Sequence, residues 1–101
     1  MWAYRYLNNT PSFWIAPVNE KTIRTLVEAG AIKKVCIIAD GATIHVDVFT
    51  QSGATTATTN KGTIKTWASL DSSAKWVRNL GVGSAHLEIS RWLPEQKRMA
   101  L

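Results

Sequence analysis

The chain reads as an α+β domain: a mainly antiparallel sheet of four to five strands, two short helices, and an aromatic N-terminal arm or hairpin. Three observations predict this. Apolar residues recur at helical spacing in two stretches, each opened by a capping residue and closed by glycine. Between those stretches the period changes to two over a run rich in β-branched residues. Inside that run, Asp40-Gly41 marks a tight hairpin turn. Short helices gathered on one face of such a sheet are the stable layering for this order.

Residues 2–7 alternate, with Trp2, Tyr4 and Tyr6 on one side, which predicts a strand or an aromatic arm. Asn8-Asn9-Thr10-Pro11 is a turn, and residues 12–16 form a short return strand ending at Pro17. Asn19 offers its side-chain oxygen to the unpaired amides of a first helical turn. Ile23, Leu26 and Val27 then make an apolar face, with Lys21, Arg24 and Glu28 opposite, and Gly30 supplies the left-handed residue that ends the helix. If Asp40 and Gly41 are the loop, the hairpin sets Val35 against Val46 and Ile37 against Ile44 on one face. The other face sets Cys36 against His45 and Lys34 against Asp47, an opposite-charge pair.

Gln51-Ser52-Gly53 turns into a threonine-rich strand over 54–59, and Asn60-Lys61-Gly62 turns into a fourth strand over 63–68. Asp71 caps a second helix over 72–80, with Ala74, Val77 and Leu80 inward and Lys75, Arg78 and Asn79 outward. Gly81 and Gly83 end it. Residues 84–92 form a last strand with Leu87 and Ile89 on one face, and residues 94–101 are expected to fray.

At 101 residues the chain fits one domain, and 46% hydrophobic against 19% charged residues is a globular balance. No apolar run approaches the roughly 20 residues of a membrane helix. The first seven residues lack the basic and apolar regions of a signal peptide. A lone cysteine, Cys36, has no partner for an intramolecular disulfide. Together these point to the cytoplasm, with no membrane contact. The five tryptophans exceed what a core of this size encloses, and the sheet leaves an edge unpaired, so self-association as a two-fold dimer is expected.

Chemistry has little to stand on. Cys36, His45 and Asp47 are the one grouping that resembles a nucleophile, a base and an orienting acid, but no oxyanion site accompanies them. A structural cross-strand pair is the expected role, and the chain is expected not to be an enzyme. Two histidines and one cysteine lack the spacing of a zinc site, so neither metal nor cofactor is expected. Gly81-Val82-Gly83-Ser84 follows a helix, whereas a phosphate cradle leads into one. A formal charge of +5 suits nucleic acid and also suits simple solubility. Lys65 and Trp67 share one strand face, pairing a cation for phosphate with a ring for a base. Lys33 and Lys61 join them as the candidate nucleic-acid contacts; the bland alternative is a ring packed under a helix among solvated lysines.

From Leu26 to Ile32 (Leu-Val-Glu-Ala-Gly-Ala-Ile), through the hairpin with Ile44, Val46 and Val48, the chain resembles the ParC-type partition-associated small proteins of plasmids and integrative elements. The likeness continues through Leu70-Asp71, through Val77-Arg78-Asn79-Leu80-Gly81-Val82, and along the final strand before Trp92, covering about residues 26–94. The tail is shorter than in that group and the threonine-rich strand is unusual. The resemblance implies an accessory of plasmid or mobile-element maintenance or transfer, acting on DNA or on partition or conjugation proteins, and carries no site residues with it. A protein-interaction module or inhibitor working through an aromatic surface is the alternative.

Overall fold

Asn19 begins the described helices as expected: its Oδ1 accepts from the Thr22 amide at 3.1 Å, and Gly30 at φ 70° ends the turn beyond the helix. The structure, a computed structural model, describes residues 18–94. In chain order these form β1 (Val18–Asn19), α1 (Glu20–Glu28), β2 (Ile32–Gly41), β3 (Thr43–Thr50), β4 (Gly53–Thr58), α2 (Leu70–Asn79) and β5 (His86–Trp92). The strand or arm expected over 2–7, the return strand over 12–16 and the tail beyond Pro94 lie outside the described residues.

The α+β class and the two helices match the sequence pattern, and of the five described strands β2 to β5 do so, whereas β1 was not expected. The sheet itself is mixed. Its order is β1-β4-β3-β2-β5, with β3 antiparallel to both neighbours while β1 runs parallel to β4 and β5 parallel to β2. Parallel neighbours need a crossover, and α1 and α2 each provide one. Alternation along a strand reports only which residues share a face, so the sequence could not reveal direction.

The hairpin register differs from expectation by one step of two residues. Asp40 pairs with Thr43, Ile37 with Val46, Val35 with Val48 and Cys36 with Asp47. Gly41 and Ala42 therefore form the loop. Gly41 has φ 64°, and no described non-glycine residue has a positive φ. That is the type II′ pattern, with glycine first, whereas reading Asp40-Gly41 as the loop assumed glycine second. A shift of two keeps every side chain on its face, so the core set survives while the cross-strand partners change. Lys34 meets Phe49 in place of Asp47, its amine 4.7 Å from the ring centre, and Cys36 meets Asp47 in place of His45.

Both helices cover one face of the sheet. Ile23 from α1, with Val77 and the following Leu80 on the α2 side, packs on Val35, Ile37, Ala39, Ile44, Val46 and Val48. On the opposite face Cys36, Ile38 and Asp47 are also enclosed, each at 1% exposure or less. Doubly enclosed strands explain the unbroken apolar run from Val35 to Ala39, since a half-exposed strand would alternate.

The second helix corrects two expectations. Its cap is Ser69, whose Oγ accepts from the Ser72 amide at 3.1 Å; Asp71 lies inside the first turn and pairs with Lys75 at 3.1 Å. On this helix Ser73 faces inward, with its hydroxyl donating to the Leu70 carbonyl at 2.8 Å, and Ala74, expected inward, is exposed. The strand expected over 63–68 is reduced to two isolated pairings, Ile64 with Thr58 and Trp67 with Ile44. Ser69→Ala should cost about 1 kcal/mol in urea unfolding, the usual cost of losing such a cap, while Asp71→Ala should cost about 0.5 kcal/mol or less.

Candidate functional site

Segment 63–67 owes its position to backbone bonds on the sheet margin. The Lys65 amide donates to the Ala57 carbonyl at 3.0 Å, and Trp67 exchanges two bonds with Ile44, at 2.8 and 3.0 Å. This anchoring presents alternate residues to the helix side, where Trp67 meets Trp76 of α2. Their ring centres are 4.9 Å apart at an angle of 51°. Lys65 Nζ stands 5.4 Å from the Trp67 ring and 5.9 Å from the Trp76 ring. A cation over two electron-rich faces is held by their quadrupoles, worth about 0.5–1 kcal/mol per contact where water has access.

Glu20 completes the cluster from the start of α1. Its Oε1 accepts from Trp76 Nε1 at 3.0 Å, and its Oε2 accepts from Arg24 Nε and the NH2 nitrogen at 3.1 and 2.9 Å. The NH1 nitrogen of Arg24 donates onward to the Asn79 carbonyl at 3.1 Å, tying α1 to the end of α2. Glu20 sits below its ordinary carboxyl range, first because of the Trp76 bond and then because of Arg24, with Lys65 a weaker contributor. The carboxylate is thus the hub between two cations and one indole.

Of the four residues expected at a contact surface, Lys65 and Trp67 are brought together, and Lys61 lies in the preceding turn, its amide bonded to Thr59 Oγ1 at 3.3 Å. Lys33 is not with them. It lies at the start of β2, beside a cleft of about 470 Å³ that Lys34, Val27, Gly81 and His86 also line. Lys34 pairs with Phe49 while Trp67 pairs with Ile44, five residues apart on β3, so about 17 Å separates the two places along the strand. Trp67 is half-buried and packs on the core, so its ring is committed mainly to Trp76 and Lys65.

Trp76, Glu20 and Arg24 are the members that the sequence did not single out. Glu20 and Arg24 stand four apart on a helix, which is a readable pair. The indole that Glu20 accepts from is 56 positions away, and nothing local announces it.

The other grouping considered, Cys36 with His45 and Asp47, is rearranged by the register. Cys36 is fully enclosed and opposite Asp47; Asp47 Oδ1 accepts from Thr56 Oγ1 at 2.8 Å, and His45 Nε2 stands 3.8 Å from it. Among the described residues no three His, Cys, Asp or Glu side chains gather as metal ligands would, and no helix is long and apolar enough to cross a membrane.

Comparison with protein-family models, with curated proteins and with solved structures returns no match. Function therefore rests on the site itself.

Two outcomes test the cluster. Trp67→Ala should destabilise the fold by about 2–3 kcal/mol, below the 3–5 typical of a fully buried tryptophan, as read by thermal or urea unfolding. For Glu20 the folded carboxyl titrates below the unfolded value of 4.5, so the unfolded chain binds more protons between the two. The contribution is complete above that unfolded value and fades as pH falls through the lower folded one. Glu20→Gln should flatten this acid limb in a profile of urea midpoint against pH.

Proposed function

We propose that this chain is a non-enzymatic binding domain that contacts nucleic acid through the phosphate backbone, as an accessory of a plasmid or other mobile element. The observation that carries the proposal is an asymmetry of charge. Of the nine described Lys and Arg residues, six belong to the helices and to the 60–67 segment: Lys21, Arg24, Lys61, Lys65, Lys75 and Arg78. Glu20, Glu28 and Asp71 are the acids on those elements. In the strands Lys33, Lys34 and Arg91 are matched by Asp40, Asp47 and Glu88. The excess positive charge thus lies on the helix layer and its margin, and a basic face is the footprint expected for phosphates.

The contact point assigned within that face is Lys65, with Lys61 in the turn that precedes it. Lys65 rests on two indoles, so less side-chain freedom is lost when it meets a phosphate. Trp67 acts chiefly by holding that lysine; any ring edge left open would add stacking on an unpaired base. The mobile-element context rests on the resemblance of residues 26–94 to ParC-type partition-associated proteins. Action in the cytoplasm follows from that same reading.

Binding should weaken steeply with salt, because each neutralised phosphate returns condensed counterions to solution. Lys65→Ala should lower affinity about equally for all sequences and flatten the slope of log K against log salt by about one unit. Joint replacement of Lys75 and Arg78 by glutamate, both exposed, should weaken binding further with little change in melting temperature. The measurement is a titration of labelled single- and double-stranded DNA at low salt. No binding to either at micromolar protein would overturn direct contact and favour a module that meets only other proteins.

A further inference from the structure

At one edge of the described sheet β5 runs for seven residues, His86–Trp92. Among the described residues β5 pairs with β2 alone. Leu87 and Ile89 are 46% and 47% exposed on it, and Leu93 just beyond is 57% exposed. Leu87 lies beside Ile37, a core residue, so it faces the helix side; α2 packs over β2 and β3 and leaves β5 at the margin. An extended edge carrying exposed apolar side chains is a template for another strand.

The order of residues on β5 says which strand fits. Glu88 sits beside Ile38 and Arg91 beside Asp40, so an irregularity lets three residues of β5 span two of β2. That extra residue returns Arg91 to the same face as Glu88, and it puts Trp92, beside Gly41, on the same face as Leu87. Leu87-Glu88-Ile89-Ser90-Arg91-Trp92 is therefore complementary to itself when reversed. We propose that β5 pairs antiparallel with β5 of a second copy of this chain, about a two-fold axis between Ile89 and Ser90. Glu88 then opposes Arg91 of the second copy, and Leu87 opposes Trp92, each pair occurring twice. Opposite charges and apolar pairs directly across an antiparallel ladder stabilise it, and like charges there destabilise it. Arg91 keeps its own Asp40, at 3.3 Å; Glu88, its side chain 16% exposed, keeps the Ser90 hydroxyl at 2.6 Å and His86 Nε2 at 3.6 Å, so the second copy's Arg91 adds to a carboxylate that is already held. The dimer joins two sheets into one and places both basic helix layers on the same side, which suits, but does not depend on, the phosphate contact proposed above.

Sedimentation equilibrium on the full chain tests this. The expected mass is about 22 kDa, twice the 11.2 kDa of one chain, with dissociation on dilution. Glu88→Arg sets Arg against Arg across the axis, and Arg91→Glu sets Glu against Glu; each variant alone should sediment as a monomer. Mixed in equal amounts they restore both opposite-charge pairs, so the mixture should return to the dimer mass. Leu87→Lys, at an exposed position, should also give a folded monomer, which guards against a charge-swap variant at the mostly enclosed Glu88, or at Arg91, that fails to fold. A wild-type monomer at several hundred micromolar would overturn the proposal. So would variants that remain dimers, or folded single variants whose mixture stays monomeric. Salt dependence of DNA binding is read separately and does not enter this result.

Discussion

The β2–β3 register places almost everything else in the domain. Pairing Asp40 with Thr43 around Gly41-Ala42 sets Val35, Ile37 and Ala39 beside Val48, Val46 and Ile44 on the face that both helices cover. The same register leaves Ile44 at the head of β3, where it exchanges two hydrogen bonds with Trp67. It also leaves the second edge of β2 open to β5. A slip of one residue would turn the apolar set to the wrong face, so the enclosed valines and isoleucines enforce what the turn begins. Glycine matters here because the first loop position has φ 64°, where a side chain with Cβ is strained.

A second dependency joins the helices to the sheet margin. Trp76 makes two kinds of contact at once: its ring meets Trp67 and its N–H reaches Glu20. Tilted indoles at this separation gain about 0.5–1.5 kcal/mol beyond the area they bury. The Glu20 carboxylate is then shared with Arg24, which reaches across to the end of α2. Structure and proposed function meet in this cluster, because the rings that fasten α2 also hold the Lys65 amine in place. A cation held before its ligand arrives has less freedom to lose on binding.

The two proposed contacts use different parts of the molecule for different physical reasons. Phosphate attraction is long-ranged and tolerant of geometry, so a helix layer with surplus cations serves it. Strand pairing is short-ranged and directional, and only the edge of a sheet offers unpaired backbone groups in a row. β5 lies at that edge, outside the cover of α2, and its irregularity gathers the charged residues on one face and the apolar ones on the other. One face can therefore meet a polyanion while the edge meets a second copy.

Much of the domain was legible in the sequence. Capping by Asn19, termination at Gly30 and Gly81, the inward set of Ile23, Val77 and Leu80, and the two faces of the hairpin all follow from local rules of dihedral angle and period. The company of Lys65 and Trp67 followed as well, since residues two apart on an extended segment share a face. What tertiary structure decided involves choices between local options of similar energy. Ser69 and Asp71 both cap well, and in the folded chain Ser69 is the one that does, with Ser73 and Val77 turned inward. Glycine can stand first or second in a two-residue loop, and the pairing of whole strands chose between registers that keep the same faces. Strand direction and the meeting of Glu20 with Trp76 lie further still from local information, because period and capping carry no record of partners more than fifty residues away. Those were settled by how two crossover helices close over one sheet.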